Sequence, residues 1–197
     1  MKRTLAAIGT AIAVVALPVA AHAASLSVTY DVSGTSHVAR TGSDVLIKPT
    51  TLSVTVDSAT SVLSGHMPIP DADTEFKVVG LLPVKATVSF IEAAPVTGIL
   101  NRASVNSTAS YYFKLSEVRV AGLPAFAGNY CQTKNPVIIP ANTPAGERFD
   151  LTSGGRLAGT FTIGEFENCG LNTLLINLLI PGPGNTAELN VTNGRLG

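Results

Sequence analysis

The chain has 197 residues, with 13 basic and 13 acidic side chains, no Trp and only 6% aromatic residues. Nucleic-acid modules carry a clustered basic face and polybasic lipid anchors carry a run of cations, and this chain shows neither pattern. Its 18 Gly and 12 Pro, set among abundant Thr, Ser and Val, favour strands and turns over helices.

The first element is a leader. Lys2 and Arg3 form a basic head, an apolar run follows from Leu5 to Ala20, and Ala21-His22-Ala23 has the small-x-small pattern of a signal-peptidase site. The apolar run contains Pro18 and is short for a bilayer span. Residues 1–23 are therefore expected to be a cleaved signal peptide, and residues 24–197 a single domain. Removing the leader takes away two of the 13 cations and leaves a small net negative charge. No cysteine stands directly after the expected cut, where Ala24 is, and the C-terminus has no hydrophobic tail. The expected location is secreted or in the cell envelope, with no transmembrane segment after cleavage.

Period-two alternation then dominates. Leu26, Val28, Tyr30 and Val32 alternate with polar residues, as do Leu52, Val54 and Val56, which is the signature of strands with one buried face. The segments 25–31 and 51–57 share five of seven residues, a likeness that two half-buried strands can reach independently. Leu63, Met67 and Ile69 mark the next strand. Val84, Ala86, Val88 and Phe90 mark another, followed by Ala109, Tyr111, Phe113 and Leu115 running into Val118 and Val120. Leu157, Phe161 and Ile163 precede a last strand with Leu189 and Val191. Turn residues separate them: Thr41-Gly42-Ser43, Pro68 and Pro70, Pro95, Gly122 and Pro124, Ser153-Gly154-Gly155 and Pro181-Gly-Pro-Gly184. This cadence predicts an all-β antiparallel sandwich, immunoglobulin-like or similar, with Leu26, Val28, Leu52, Val54, Val88, Phe90, Phe113, Phe161 and Ile163 in its core.

One stretch breaks the alternation. In 171–180, Leu171, Leu174, Leu175, Leu178 and Leu179 follow helical spacing, and Pro181 stops the helix. This short C-terminal helix either plugs the sandwich or presents the five leucines to an apolar ligand or a partner. Just before it stands Cys169, which pairs most simply with Cys131 as a disulfide in an exported chain.

Catalytic patterns are scarce. Ser36 and His37 are sequence neighbours, so on a strand they face opposite ways and do not make a nucleophile–base pair. Asp71, Asp73 and Glu75 share one face if extended and form a weak candidate for a hard cation, but the other ligands of a calcium loop are missing. Glu92, Glu117, Glu165 and Glu167 supply carboxylates, yet the aromatic lining of a sugar cleft is thin. No catalytic residue, metal or cofactor is assigned.

From Gly159-Thr-Phe-Thr-Ile-Gly164 through Cys169-Gly170 to Ile180-Pro-Gly-Pro-Gly-Asn185, the chain resembles a pattern recurrent in exported β-rich proteins of actinobacteria. The resemblance covers roughly residues 125–192. It implies a two-cysteine protein of the cell envelope or extracellular space without an assigned activity, and no site residue transfers from it. The expected function is non-catalytic, with a lipid-like ligand or a cell-surface component as partner. The competing expectations are an exported hydrolase acting through His66 or a carboxylate pair assembled by the fold, and a structural or adhesive subunit.

Overall fold

Alternation in sequence becomes alternation in burial. Along β1 (Ser25–Val38) the side chains of Val28, Tyr30 and Val32 are buried between less buried neighbours, and along β2 (Ser43–Asp57) Val45, Ile47, Leu52, Val54 and Val56 are buried. The computed structural model describes residues 25–197 other than 79, 80 and 126, so the expected leader lies outside the described residues. The two look-alike segments are antiparallel partners: Ser25 faces Asp57, Val28 faces Val54 and Asp31 faces Thr51. Both bury the same kind of side chain against one core, which accounts for their likeness.

The remaining strands are β3 (Val62–His66), β4 (Ala72–Val78), β5 (Leu82–Asn101), β6 (Ser104–Val120), β7 (Leu123–Pro124), β8 (Gln132–Thr133), β9 (Val137–Asn142), β10 (Gly154–Ile163), β11 (Phe166–Glu167) and β12 (Gly182–Leu196). A 3₁₀ turn at Gly170–Asn172 leads into α1 (Thr173–Leu179). The described residues are thus all-β and antiparallel with one short C-terminal helix, as expected. The strands form one sheet in the order β11-β8-β6-β9-β10-β12-β1-β2-β3-β5-β4. β5 also pairs with β6, so the run from β6 to β5 returns on itself and wraps the core. The facing layers of this sandwich-like body therefore belong to one continuous sheet.

β5 explains the closure. Pro95 reads as a turn signal, yet it lies inside a 20-residue strand. The ladder to β6 shifts register between Glu92 and Ala94 and again between Ala94 and Thr97, so Pro95 sits in an irregularity that needs no donor from it. Beyond the bend, the other edge of β5 changes partner: residues 82–88 pair with β4 and residues 96–99 pair with β3. Likewise Pro181 stops α1, but the strand begins at Gly182, opposite Ile163, rather than after a longer turn.

Two tyrosines fasten the interior. Tyr30 Oη donates to the Leu151 carbonyl at 2.7 Å and Tyr111 Oη to the Met67 carbonyl at 2.6 Å. Each buried ring thereby satisfies its polar end. Gly159 lets β10 pass directly beside β9, where a Cβ would collide with the Pro140 carbonyl.

Candidate functional site

The inward faces of β4, β5 and β6 do not meet those of β1 and β2 at one end of the sheet. They leave a cavity of about 190 Å³. Val84, Val88 and Val120 line its wall, Phe90, Phe113 and Ile163 its floor, and Leu175, Ile176, Leu179 and Ile180 its roof. Edge-on aromatic contacts from Phe90 to Phe113 (5.3 Å) and from Phe113 to Phe161 (6.2 Å) make the floor. Below it lies a second space of about 50 Å³, lined by Phe90, Phe113 and Phe161. A third, of about 30 Å³, shares Leu52, Val96, Ser107 and Leu157 with the second. Among the described residues no ionisable side chain lines the first cavity. Its polar groups are hydroxyls and one amide: Ser36, Thr41, Ser43, Thr74 and Asn172.

The roof is held at three points. The Cys131–Cys169 disulfide is formed, with both cysteines fully buried, and it pins the chain immediately before the helix. Asn177 bonds Phe166 through both ends of its amide. Arg40 Nη2 donates to the Leu178 carbonyl at 2.8 Å, near the helix C-terminus where a cation is favoured. Gly182 leaves the Arg40 side chain its path, since a Cβ there would stand 2.6 Å from Arg40 Cδ. Buried Asn185 ties the neighbouring ends together: its Oδ1 accepts the Ala39 amide, and its Nδ2 donates to the carbonyls of Gly182 and Phe161.

These tethers set the rotation of a seven-residue helix more firmly than its leucine stripe does. Ile176, at the margin of the stripe, is the buried residue, only 7% exposed. Leu175 and Leu179 line the cavity, whereas Leu171, Leu174 and Leu178 face solvent, the last two 85% and 65% exposed. Leu82 and Leu175 both line the cavity and are nearly half exposed, so they mark its mouth. Leu81 and Leu123 stand exposed on the adjoining hairpins, Leu123 opposite Val120 of the wall. The mouth is thus rimmed by leucines.

The other sequence candidates lie elsewhere. Asp73 and Glu75 share the outer face of β4 and Asp71 stands just before it, but Thr87 Oγ1 donates to Asp73 and Lys85 pairs with Glu75 at 2.9 Å. Among the described residues no three His, Cys, Asp or Glu side chains are grouped to hold a metal ion. His37 Nδ1 lies 2.7 Å from Asp44 Oδ1 and His66 Nδ1 lies 3.1 Å from Glu92 Oε2, both rings on the outside. Ser36 turns inward and donates to the Thr186 carbonyl, away from His37. Glu92, Glu117, Glu165 and Glu167 do not line the cavity. The sequence reading missed the hydroxyls Thr41, Ser43 and Thr74 and the tethers Arg40 and Asn177. A polar Asn177 inside LNTLLINLLI was the one visible hint.

No protein-family model, no curated protein and no solved structure matches this chain. Among the described residues no helix is long and apolar enough to cross a membrane.

Proposed function

We propose that this chain is an exported, non-catalytic protein of the cell envelope or extracellular space that holds an apolar, lipid-like ligand beneath α1. The observation that carries this reading is the uncharged cavity roofed by a leucine-rich helix and opening between exposed leucines. Apolar cavities of about 150 Å³ stay dry and take up benzene, and this one is larger. An apolar ligand seated there would take the valine, phenylalanine and leucine surfaces of the cavity out of water. The leader pattern at 1–23 and the buried disulfide support export. The C-terminal resemblance supports an actinobacterial envelope as the setting.

Native mass spectrometry of the protein exported by an actinobacterial host, with extraction of any bound species, tests this reading. The expected result is a 1:1 adduct of lipid-like mass, displaced by N-phenyl-1-naphthylamine with saturable fluorescence. A folded protein without an adduct and without saturable uptake of the dye overturns it.

A further inference from the structure

Three segments around the cavity under α1 contain no charged residue: 78–84, 120–130 and 168–182. The first carries the turn between β4 and β5, the second the turn between β6 and β7, and the third α1. All three reach the same opening. The Ala121 amide donates to the Pro83 carbonyl at 2.8 Å, which joins the two hairpins. Leu82 of one hairpin and Leu175 of α1 line the cavity at its mouth. Around that mouth Leu81, Leu123, Leu174 and Leu178 stand exposed, and none of them belongs to the core. Single exposed leucines are ordinary, but a group of them on one rim marks a surface that something apolar covers.

A cation stands at the base of each projection. Lys77 lies opposite Pro83 and Arg119 opposite Pro124, each exposed and one ladder step below the last pair of its hairpin. Among the described residues neither side chain meets a carboxylate. Lys85, across from Arg119, is the residue that Glu75 takes. Arg40 holds the corresponding place under α1, bonded to the Leu178 carbonyl. The acidic residues of these elements, Glu75, Glu117, Glu165 and Glu167, all lie outside the three uncharged segments.

Leucine tips above a basic collar match a phospholipid surface. Acyl chains accept apolar side chains of any shape, and the headgroup phosphates lie where the cations stand. A folded partner would need a separate socket for each of three projections and would seal the mouth between them. We infer that this rim docks on a phospholipid membrane, with the four leucines at the acyl boundary and Lys77, Arg119 and Arg40 at the phosphates. The cavity then opens directly into the bilayer. Docking itself does not require an occupied cavity; only the passage of a ligand from membrane to cavity rests on the reading above.

Cosedimentation of the full exported protein with vesicles of phosphatidylglycerol or of phosphatidylcholine tests this, beside uptake of N-phenyl-1-naphthylamine without vesicles. Both vesicles should be bound, phosphatidylglycerol the more tightly. Leu123→Ser/Leu174→Ser should weaken both by at least about tenfold, because each leucine forfeits its transfer out of water. Lys77→Gln/Arg119→Gln should weaken phosphatidylglycerol binding by about tenfold and phosphatidylcholine binding much less. All four side chains are exposed, and unchanged urea midpoints verify that the variants are folded. Failure of the native protein to bind either vesicle, or leucine variants that bind as the native chain does, overturns the inference. A dimer that forms in place of vesicle binding also overturns it, since a second copy would then be what covers the rim. Dye uptake without vesicle binding ends the docking alone, and vesicle binding without dye uptake ends the cavity reading alone.

Discussion

Asn177 and Phe166 are joined twice: the Asn177 Oδ1 accepts the Phe166 amide at 2.7 Å, and its Nδ2 donates to the Phe166 carbonyl at 2.9 Å. One side-chain amide thus does for β11 what a neighbouring strand would do. It also fastens a helix that has no side-chain cap at its N-terminus. Replacing Asn177 by Ala removes both bonds and leaves two backbone groups to find water. About 1–3 kcal/mol of stability should be lost. Hydrogen exchange read by mass spectrometry should show the loss confined to 166–180, with faster exchange there and an unchanged β1–β2 ladder. Uniform acceleration across the chain would show that the helix is not a separate unit.

The rotation of α1 makes opposite predictions for neighbouring residues. Leu178 faces solvent, so Leu178→Asp should change stability by no more than about 0.5 kcal/mol. Ile176 is buried in the roof, so Ile176→Asp places an unpaired charge in an apolar site and should cost at least about 3 kcal/mol. Urea unfolding of the two variants decides the matter. A Leu178→Asp protein that unfolds as readily as Ile176→Asp would mean that the leucines are packed in solution.

Much of the body was legible because burial follows alternation. Val28, Val54, Val88, Phe113 and Ile163 read as inward residues and are buried. The closure was not legible, because whether β5 bends at Pro95 or ends there depends on a long-range ladder with β6 that leaves no local trace. The rotation of α1 was hidden for a similar reason. Helical spacing reports which residues share a face, but contacts made by Cys131, Arg40 and Phe166, all distant from or outside the helix, decide where that face points. The cavity was harder still, since an unfilled volume is a property of seven strands and a helix at once. Cys131 and Cys169 were the simplest to read, being the only two cysteines in the chain.

The disulfide spans a sequence separation of 38 and joins the segment after β7 to the helix. Closing such a loop in the unfolded chain stabilises the fold by about 3–4 kcal/mol on the chain-entropy account. The Cys131→Ala/Cys169→Ala variant should therefore melt well below the native protein. Native protein should show the same loss in reducing agent once both sulfurs are reached. Because both cysteines are fully buried, reduction should follow local opening around α1 and be faster in Asn177→Ala. Equal reduction rates in the two proteins would separate the disulfide from the helix.

Acid should unfold the protein through two surface aspartates. Asp31 is forked by Arg195, with Nη2 at 2.6 Å and Nη1 at 3.0 Å, and accepts a third bond from Asn193. These hydrogen bonds lower its pKa to about 2. Asp150 caps its own turn, accepting from the hydroxyl and amide of Thr152 and from Ser153, and its pKa also falls to about 2. In the unfolded chain both return to the ordinary value of 3.8. Above that value both carboxylates are ionised in either state, and their stabilising effect is complete. As the pH falls through 3.8 the unfolded chain takes up protons first, and the effect is lost by about pH 2. The melting temperature should therefore change little on their account above about pH 5 and drop between about pH 4 and 2. In Asp31→Asn/Asp150→Asn the starting stability should be lower and that drop shallower. A double variant with the native acid slope would place the responsible carboxylates elsewhere, Asp57 first, since amide hydrogen bonds from Thr60 and Ala59 lower its pKa as well.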